Sequence, residues 1–535
     1  MHLVTSDTMR ALEAAADAAG LTYAEMMRRA GERVAGAVTD VLDDTGNVVV
    51  LCGPGNNGGD GLVAADRLAE AGFTISALVW RRAEDDPLIA ALVRHADALV
   101  LPSDAPGAMD QLSVWLGDAD IIVDALLGTG ANRPLGGPLA DILDAAAAAA
   151  DEPDGPVVVA VDLPTGLGAD DGTLDPHTVP ADVTVTFGFP KVGQFTFPGA
   201  AAVGELIVDD IGIPEALGDS VEALLGGAAG GGSAGPGRLA VSTAGEVAAL
   251  LPPRPLDAHK GTFGRALVVA GSASFAGAAC LAAEAAYRSG AGLVTVAVPA
   301  SLQPVVIARL CEATVLPLPE ERGVIAPAAA TAVRAAWASY DAVLIGPGLT
   351  QEPPVQAFFE DLLAGLAGGG DRPGRLIVDA DGLNLVARMA GGPACLPQGT
   401  VLTPHPGEMA RLTGRPAGEI NAGRVAVARA AAASWGHVVV LKGAFTVIAA
   451  PDGRVTVNPF ANPALATAGT GDVLAGLIAG LSAQGMAAFD AAVAAAHLHG
   501  LAGELAGEAI GPRGVLAGDV LARVAEACGV IERDV

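Results

Sequence analysis

An aspartate closes the glycine turn Thr467-Ala-Gly-Thr-Gly-Asp472, just ahead of an apolar stretch that reads as a helix from near Val473. Glycines leave backbone N–H groups bare and a helix dipole adds positive potential, so such a turn can cradle a transferring phosphoryl group. Asp472 then stands where a base toward a substrate hydroxyl is needed. Read alone, an aspartate before an apolar helix is equally an ordinary cap. A second glycine turn favours chemistry: Lys442-Gly-Ala-Phe-Thr446 follows the apolar run Val438–Leu441, and Lys442 is one of few cations in an acidic chain. His405 lies in Thr403-Pro-His-Pro-Gly-Glu408, where flanking prolines fix the backbone and the ring can donate to a substrate oxygen. No G-x-x-x-x-G-K-[ST] motif is present, so phosphate chemistry here is not of the P-loop kind. His497 and His499, one residue apart on a helical stretch, point to different faces and make a poor metal pair.

A further glycine loop, Gly53-Pro-Gly-Asn-Asn-Gly-Gly-Asp-Gly61, lies between a strand and a helix read as Leu62–Ala71. Gly53, Gly55 and Gly58 satisfy G-x-G-x-x-G, which suggests a dinucleotide fold, with Arg81-Arg82 standing where NADP enzymes place a cation. The loop itself argues against this. Asp60 at the helix start would repel a pyrophosphate, and Asn56 and Asn57 are bulky where a phosphate needs bare backbone. A plain strand-to-helix turn is the other reading. Two more strand ends carry an acid and a glycine turn: Val123-Asp-Ala-Leu-Leu-Gly-Thr-Gly130, continuing to Asn132-Arg133-Pro134, and Val161-Asp-Leu-Pro-Thr-Gly166. The carboxyl ends of parallel strands converge on one crevice, so Asn57, Asp60, Asp124, Asp162 and Thr165 can line one pocket. An aspartate at a strand end is otherwise an ordinary turn residue.

The elements that position these groups alternate. Apolar runs at Val48–Leu51, Thr74–Val79, Ile121–Val123, Val157–Val161 and Val183–Phe187 are separated by alanine-rich helical stretches. After a glycine-rich, uncharged stretch, Leu225–Gly237, the alternation restarts at Ala266–Ala270, Leu293–Val298, Ala342–Ile345, Leu376–Val378, Val438–Leu441 and Thr446–Ala449. This predicts an α/β protein of parallel sheets covered by helices. The expected domains are residues 1–216 and 238–535, joined by a linker at 217–237. The 535 residues are 51% hydrophobic and 17% charged, which suits folded cores rather than a disordered chain. A formal net charge of −30 disfavours a coat on nucleic acid or an anionic membrane. Ser289–Ala308 is uncharged but holds Pro299, Gln303 and Pro304, unlike a membrane span, and no signal peptide opens the chain. Five scattered cysteines without a CxxC pair fit a reducing cytosol, so a cytoplasmic protein is expected. The sequence leaves homo-oligomer formation open.

The words GNNGGDG, VDALLGTGANRP, VDLPTG and FGFPKVG together resemble the NAD(P)H-hydrate epimerase family (the YjeF N-terminal domain), over residues 1–216. The resemblance implies a Rossmann-like domain in which Asn56, Asn57, Gly58, Gly59 and Asp60, with Gly128, Thr129, Gly130, Ala131, Asn132, Arg133 and Pro134, contact a hydrated nicotinamide nucleotide. It further implies a potassium ion held by Asn57, Asp124 and Thr165, with Asp162 at the substrate as a catalytic residue. Oxygen donors of these kinds suit a hard cation. The family usually has Ser where Thr165 stands, and Glu-Asn where this chain has Arg28-Arg29.

The set HKGTFGRALVVAGS, RSGAGLVTVAVP, IGPGL, VDADGLN, LTPHPGE, LKGAFT, TAGTGDVLAG and AAHLHG resembles NAD(P)H-hydrate dehydratases of the ribokinase-like superfamily, over most of residues 238–535. Carried over, Gly348 and His405 contact the hydrate, Lys442, Gly443, Ala444, Phe445, Thr446 and Gly471 hold the adenine nucleotide, and Asp472 meets the hydrate as the catalytic residue. Gly382 stands where Ala is common, and Cys311-Glu-Ala-Thr replaces a Pro-Glu-Ala-Met-like segment. Their order resembles bacterial fusions that repair hydrated NADH and NADPH (NADHX and NADPHX). The resemblance implies epimerisation of the R and S hydrates and dehydration of the S form with ADP as co-substrate, giving AMP and phosphate, with magnesium beside the nucleotide. Three rivals stand beside it: an NADP dehydrogenase, a small-molecule kinase such as a hydroxymethylpyrimidine kinase, and a non-catalytic nucleotide-binding protein. Asp60 disfavours the first, and the kinase leaves residues 1–216 unexplained.

Overall fold

The computed structural model describes residues 1–42, 45–130, 133–214, 217, 237–367 and 374–533. The chain divides into two compact units, Met1–Gly232 and Ser233–Val535. The expected linker lies outside the described residues except at its two end positions. Among the described residues no helix is long and apolar enough to cross a membrane.

The first unit is built on a seven-stranded sheet: β1 (Asn47–Cys52), β2 (Thr74–Val79), β3 (Ala98–Pro102), β4 (Ile121–Ala125), β5 (Val157–Val161), β6 (Val183–Phe187) and β7 (Glu205–Asp209). Their order is β3-β2-β1-β4-β5-β6-β7, and every neighbouring pair is parallel. Side chains alternate across a strand. Val48, Val50 and Cys52 of β1 therefore pack under one helical layer, while Val49 and Leu51 pack under the other. Both faces are dry, which is why the strands read as continuous apolar runs. The chain reverses sheet direction between β1 and β4, so the loops after these two strands flank the crevice where a parallel sheet places its ligand.

The helix after β1 runs Asn56–Ala71, a turn and a half longer than the sequence suggested. Asn56 to Asp60 are helical, not loop, and Asp60 is buried in the second turn rather than capping the start. Three glycines explain the shift. A Cβ on Gly53 would lie 1.7 Å from the Leu126 carbonyl oxygen, one on Gly58 2.0 Å from the Gly53 oxygen, and one on Gly61 2.4 Å from Ala125 Cβ. They allow a helix to start tight against the sheet, so they signal close packing more than a loose loop.

The second unit holds β8 (Leu239–Val241), β9 (Arg265–Val269), β10 (Leu293–Pro299), β11 (Thr314–Leu318), a small hairpin of β12 (Glu320–Glu321) and β13 (Val324–Ile325), β14 (Ala342–Ile345), β15 (Arg375–Val378), β16 (Val401–Leu402), β17 (Val438–Leu441), β18 (Val447–Ala449) and β19 (Val455–Val457). The ten-stranded sheet has the order β11-β10-β9-β14-β15-β16-β17-β18-β19-β8. Ala266, Val268 and Ala270 face one core and Leu267 and Val269 the other. Two neighbouring pairs in this sheet, β17–β18 and β18–β19, are antiparallel. The cause is length: Lys442 to Thr446 is too short for a crossover and can only turn back. The helix after the TAGTGD turn starts at Thr470 rather than Val473 and is buried along nearly its whole length.

Candidate active sites in the two units

In the first unit a cleft of about 370 Å³ opens at the carboxyl ends of β1, β4, β5 and β6. Asn56, Asn57 and Asp60 line it from the helix after β1, Gly128, Thr129 and Gly130 from the turn after β4, and Asp162 from the end of β5. Beneath it, Asp124 is 1% exposed and Thr165 fully buried. Thr165 donates to Asp124 through its hydroxyl and its backbone N–H, both at 2.7 Å, and the Leu126 N–H adds a third bond at 3.2 Å. Burial pushes the Asp124 carboxyl up, against the pull of these donors, and no cationic side chain among the described residues pairs with it. Asn57, in the first turn of the helix after β1, faces the turn after β4. Its Oδ1 lies 3.1 Å from where a Gly128 Cβ would sit, and its buried Nδ2 has no partner among the described residues. A buried carboxylate, a hydroxyl and an amide oxygen with no cation among them form a donor set that fits a hard monovalent ion.

Not every expected contact falls in this cleft. Arg133 and Pro134 line a separate opening with Asp170, Asp171 and Asp175, and Ala131 and Asn132 lie outside the described residues. Arg82 does not await a nucleotide phosphate. Its side chain is 9% exposed, donating to the Gly53 and Gly55 carbonyls at 3.0 Å and to Asp86 at 2.8 Å, so it braces the loop after β1. Arg28 and Arg29 are tied to Glu25 and Glu32 along their own helix.

Two groups in the cleft have no counterpart among the sequence candidates. Lys191 follows β6, its side chain is 1% exposed, and its ammonium bonds Asp162 Oδ1 and, at 2.8 Å, Thr186 Oγ1. Its signal was present in FGFPKVG, where a cation interrupts an apolar run. Glu13 enters from the helix Ser6–Ala18, and burial and then Asp162 push its carboxyl up. Nothing local in the sequence marks it, because the helix must first be packed across the strand ends.

In the second unit, loops after β15, β16 and β17 and the start of helix Thr470–Ala483 converge. Lys442 Nζ is 2.7 Å from Asp379 Oδ1 and 3.8 Å from Glu408 Oε2. A Cβ on Gly471 would lie 3.5 Å from the same ammonium, so the glycine turn meets Lys442 directly. Asp379 is 1% exposed and also accepts from the Thr403 hydroxyl at 2.6 Å. Asp472 is pushed up to about 7, by burial first and then by Asp379, against the pull of Lys442. Burial likewise pushes Glu408 up to about 7. His405 caps the helix Pro406–Thr413. Its Nδ1 accepts from Gly407 N–H at 3.0 Å, which leaves the ring proton on Nε2, 3.4 Å from Glu408 Oε1. Burial and then Lys442 lower its pKa, which favours the neutral ring.

The turn Lys442–Thr446 is held by Arg424, which donates to the Leu441 and Lys442 carbonyls at 2.8 and 3.2 Å. Phe445 has φ +53°, and Thr446 Oγ1 donates back to the Gly443 carbonyl at 2.9 Å. Gly348, at φ +63°, passes within contact of Phe275, where a Cβ would meet the main chain at 2.8 Å. Asp379, Glu408 and Arg424 were not candidates, although VDADGLN and LTPHPGE contain the first two. What the sequence concealed is that one ammonium gathers two carboxyl groups, from Asp379 and Glu408, against the glycine turn.

The geometry agrees with the relationships of the chain. The family model for NAD(P)H-hydrate dehydratase matches residues 266–525, and that for the YjeF-related protein N-terminus matches residues 23–193. A bifunctional NAD(P)H-hydrate repair enzyme, Nnr, of Moorella thermoacetica is 37% identical over 97% of this chain and 95% of its own length. Proteins of the same name from Thermofilum pendens and Escherichia coli are 38% and 34% identical, over 94% and 96% of this chain and 91% of their own lengths. Among solved structures, the Bacillus subtilis ADP/ATP-dependent NAD(P)H-hydrate dehydratase co-crystallized with ATP/Mg2+ is 35% identical, covering 55% of this chain and 99% of its own, at a TM-score of 0.47. With two matching family models and relatives of this identity over nearly its full length, the chain belongs to the family of bifunctional NAD(P)H-hydrate repair enzymes.

Proposed function

We propose that residues 1–216 interconvert the R and S hydrates of NADH and NADPH, and that residues 238–535 dehydrate the S form at the expense of ADP. The observation that carries this reading is the split of chemistry between the units. One presents an acid-lined cleft over a cation-type oxygen set, and the other a glycine-rich helix start that carries an aspartate and packs against a lysine.

In the second site, Asp472 takes the proton of the ring hydroxyl as that oxygen attacks the terminal phosphorus of ADP, and AMP leaves. The glycine turn at Gly471 offers backbone N–H groups to the transferring phosphoryl group, and Lys442 to Thr446 hold the nucleotide. The phosphorylated carbon then loses phosphate while the neighbouring carbon loses a proton, restoring the ring double bond. Gly348 and His405 meet the hydrate. Asp379 and Glu408 meet the Lys442 ammonium and Asp472 stands on the adjoining glycine turn, and this surplus of carboxyl groups suits magnesium arriving with the nucleotide.

In the first site, Asn56, Asn57 and Asp60 with Gly128, Thr129 and Gly130 embrace the hydrate and Asp162 faces its ring. Asn57, Asp124 and Thr165 hold potassium, which would supply a fixed positive charge near the ring hydroxyl. The enzyme acts in the cytoplasm on small molecules alone. The test is recovery of the NADH absorbance from hydrated NADH, with and without ADP. Recovery only with ADP supports the reading. Recovery without any nucleotide, or none with it, removes it.

A further inference from the structure

Carbon six of a hydrated nicotinamide carries its hydroxyl beside ring nitrogen one, so it is a hemiaminal. Its two epimers interconvert when the carbon–nitrogen bond opens to an aldehyde and recloses on the other face. Opening needs a base at the hydroxyl and an acid at the nitrogen, both within one cleft.

The cleft of the first unit holds carboxyl groups in unequal surroundings. Asp162 Oδ1 accepts from the Lys191 ammonium and, at 2.9 Å, from the Thr186 hydroxyl, while Gln194 fixes its backbone carbonyl at 2.9 Å. Its backbone sits at φ +66°, a conformation non-glycine residues seldom keep without reason. Oδ2 carries no hydrogen bond among the described residues, and the side chain is 14% exposed, toward the cleft. Asp60 lines the same cleft without a bonded cation, and burial, with Asp162 and Glu13 adding to it, drives its carboxyl well above the usual range. Two carboxyl groups in one cleft, one bonded by an ammonium and the other not, mark a base and an acid.

We propose that Lys191 divides these two carboxyl groups between opposite roles in epimerisation, holding Asp162 as the base through its free oxygen and leaving Asp60 as the acid. The proposal rests on the first unit being the epimerase. Asp162 Oδ2 takes the hydroxyl proton, the oxygen becomes an aldehyde oxygen, and the carbon–nitrogen bond breaks with its electron pair going to nitrogen. Nitrogen takes a proton from Asp60. After half a turn about the adjacent carbon–carbon bond, nitrogen adds to the other face and returns its proton to Asp60. The oxygen recovers its proton from Asp162. No atom is gained or lost, and the hydroxyl oxygen stays on its carbon throughout. Asp162 and Asp60 are the catalytic residues, and Lys191 and Thr186 position the first. Glu13 and Arg10 are the other charged groups on the cleft. Glu13 opposes the Asp162 charge and Arg10 is engaged by Asp7, so Lys191 is the cation that bonds it.

The experiment uses the full chain without adenine nucleotide, so that dehydration does not draw off the S form. Purified R hydrate is incubated in water enriched in oxygen-18, and the S form is collected by chromatography. The parent enzyme should deliver S hydrate with its original oxygen. Lys191→Met and Asp60→Asn should each lower kcat by about 10²-fold or more while KM stays within a few-fold. Thr186→Val serves where Lys191→Met does not fold. It removes one donor to the carboxylate, so the acid limb of the kcat profile should move to higher pH. One oxygen-18 gained per conversion would mean that the hydroxyl leaves as water, and would overturn the proposal. So would a loss confined to KM, or an unchanged limb in Thr186→Val. If the parent protein itself does not outpace spontaneous interconversion, it is the epimerase reading that fails.

Discussion

Replacing Asp472 by asparagine should stop dehydration and stabilise the second unit at the same time. The side chain is held near the glycine turn by function, not by fold: burial moves its carboxyl from 3.8 to about 7. Such a shift of about three units, at 1.36 kcal/mol each, bounds the cost of ionising it in place at roughly 4 kcal/mol, and partial contact with solvent reduces this to roughly 1–3 kcal/mol. The sign follows from linkage. Below the unfolded pKa the group is neutral in both states and costs nothing. As pH rises through about 7 it ionises in the folded protein as well, and the full cost is present above that point. The stability of Asp472→Asn relative to the parent should therefore grow between pH 4 and pH 7 and stay level beyond. Turnover of the S hydrate should fall roughly 10²–10⁴-fold, as for loss of a general base. Unfolding followed in the second unit at pH 5 and pH 8, beside the dehydration rate, checks both halves. Near-normal turnover in a folded variant would refute the assignment of the base. A variant no more stable at pH 8 than at pH 5, relative to the parent, would refute the argument from burial.

Lys442→Ala should weaken ADP much more than the hydrate in separate titrations, because the lysine heads the turn proposed to hold the nucleotide; equal losses would count against that. Gly53→Ala should destabilise the first unit by roughly 3 kcal/mol or more, since its Cβ would sit 1.7 Å from the Leu126 carbonyl oxygen. A melting transition of the first unit unchanged by that substitution would contradict the packing described for the loop.

The alternation of apolar runs was legible because both faces of each sheet are buried, which makes central strands such as β1 and β14 continuous and unmistakable. The edge strands β3 and β7 were not, being half exposed, and neither was the interior β16, which is two residues long and too short to leave a pattern. Helix starts were misplaced by a few residues at Asn56 and Thr470, because glycines there serve close packing and were read as loop. Of the site, the sequence carried the groups at strand ends, where chemistry and topology coincide. It did not carry Asp379, Glu408 or Lys191 as members, since their significance is pairwise: each matters through a charged partner reached only in three dimensions. Glu13 comes from a helix before the first strand and has no motif of its own.

The account stands most directly on the independence of the two chemistries. Asp124 lies at the centre of the proposed potassium site, bonded to Thr165 and remote in sequence from the Gly471-Asp472 turn. Its removal leaves only neutral oxygens there, which should weaken the cation and with it epimerisation. The measurement is a mixed preparation of R and S hydrates with excess ADP, followed by chromatography that resolves them, for the parent protein and for Asp124→Ala. The parent should clear both epimers. The variant should consume S at the parent rate and leave R to its slow spontaneous conversion. If Asp124→Ala clears both as fast as the parent, the first unit is not the epimerase; if it loses consumption of S as well, the two chemistries are not independent.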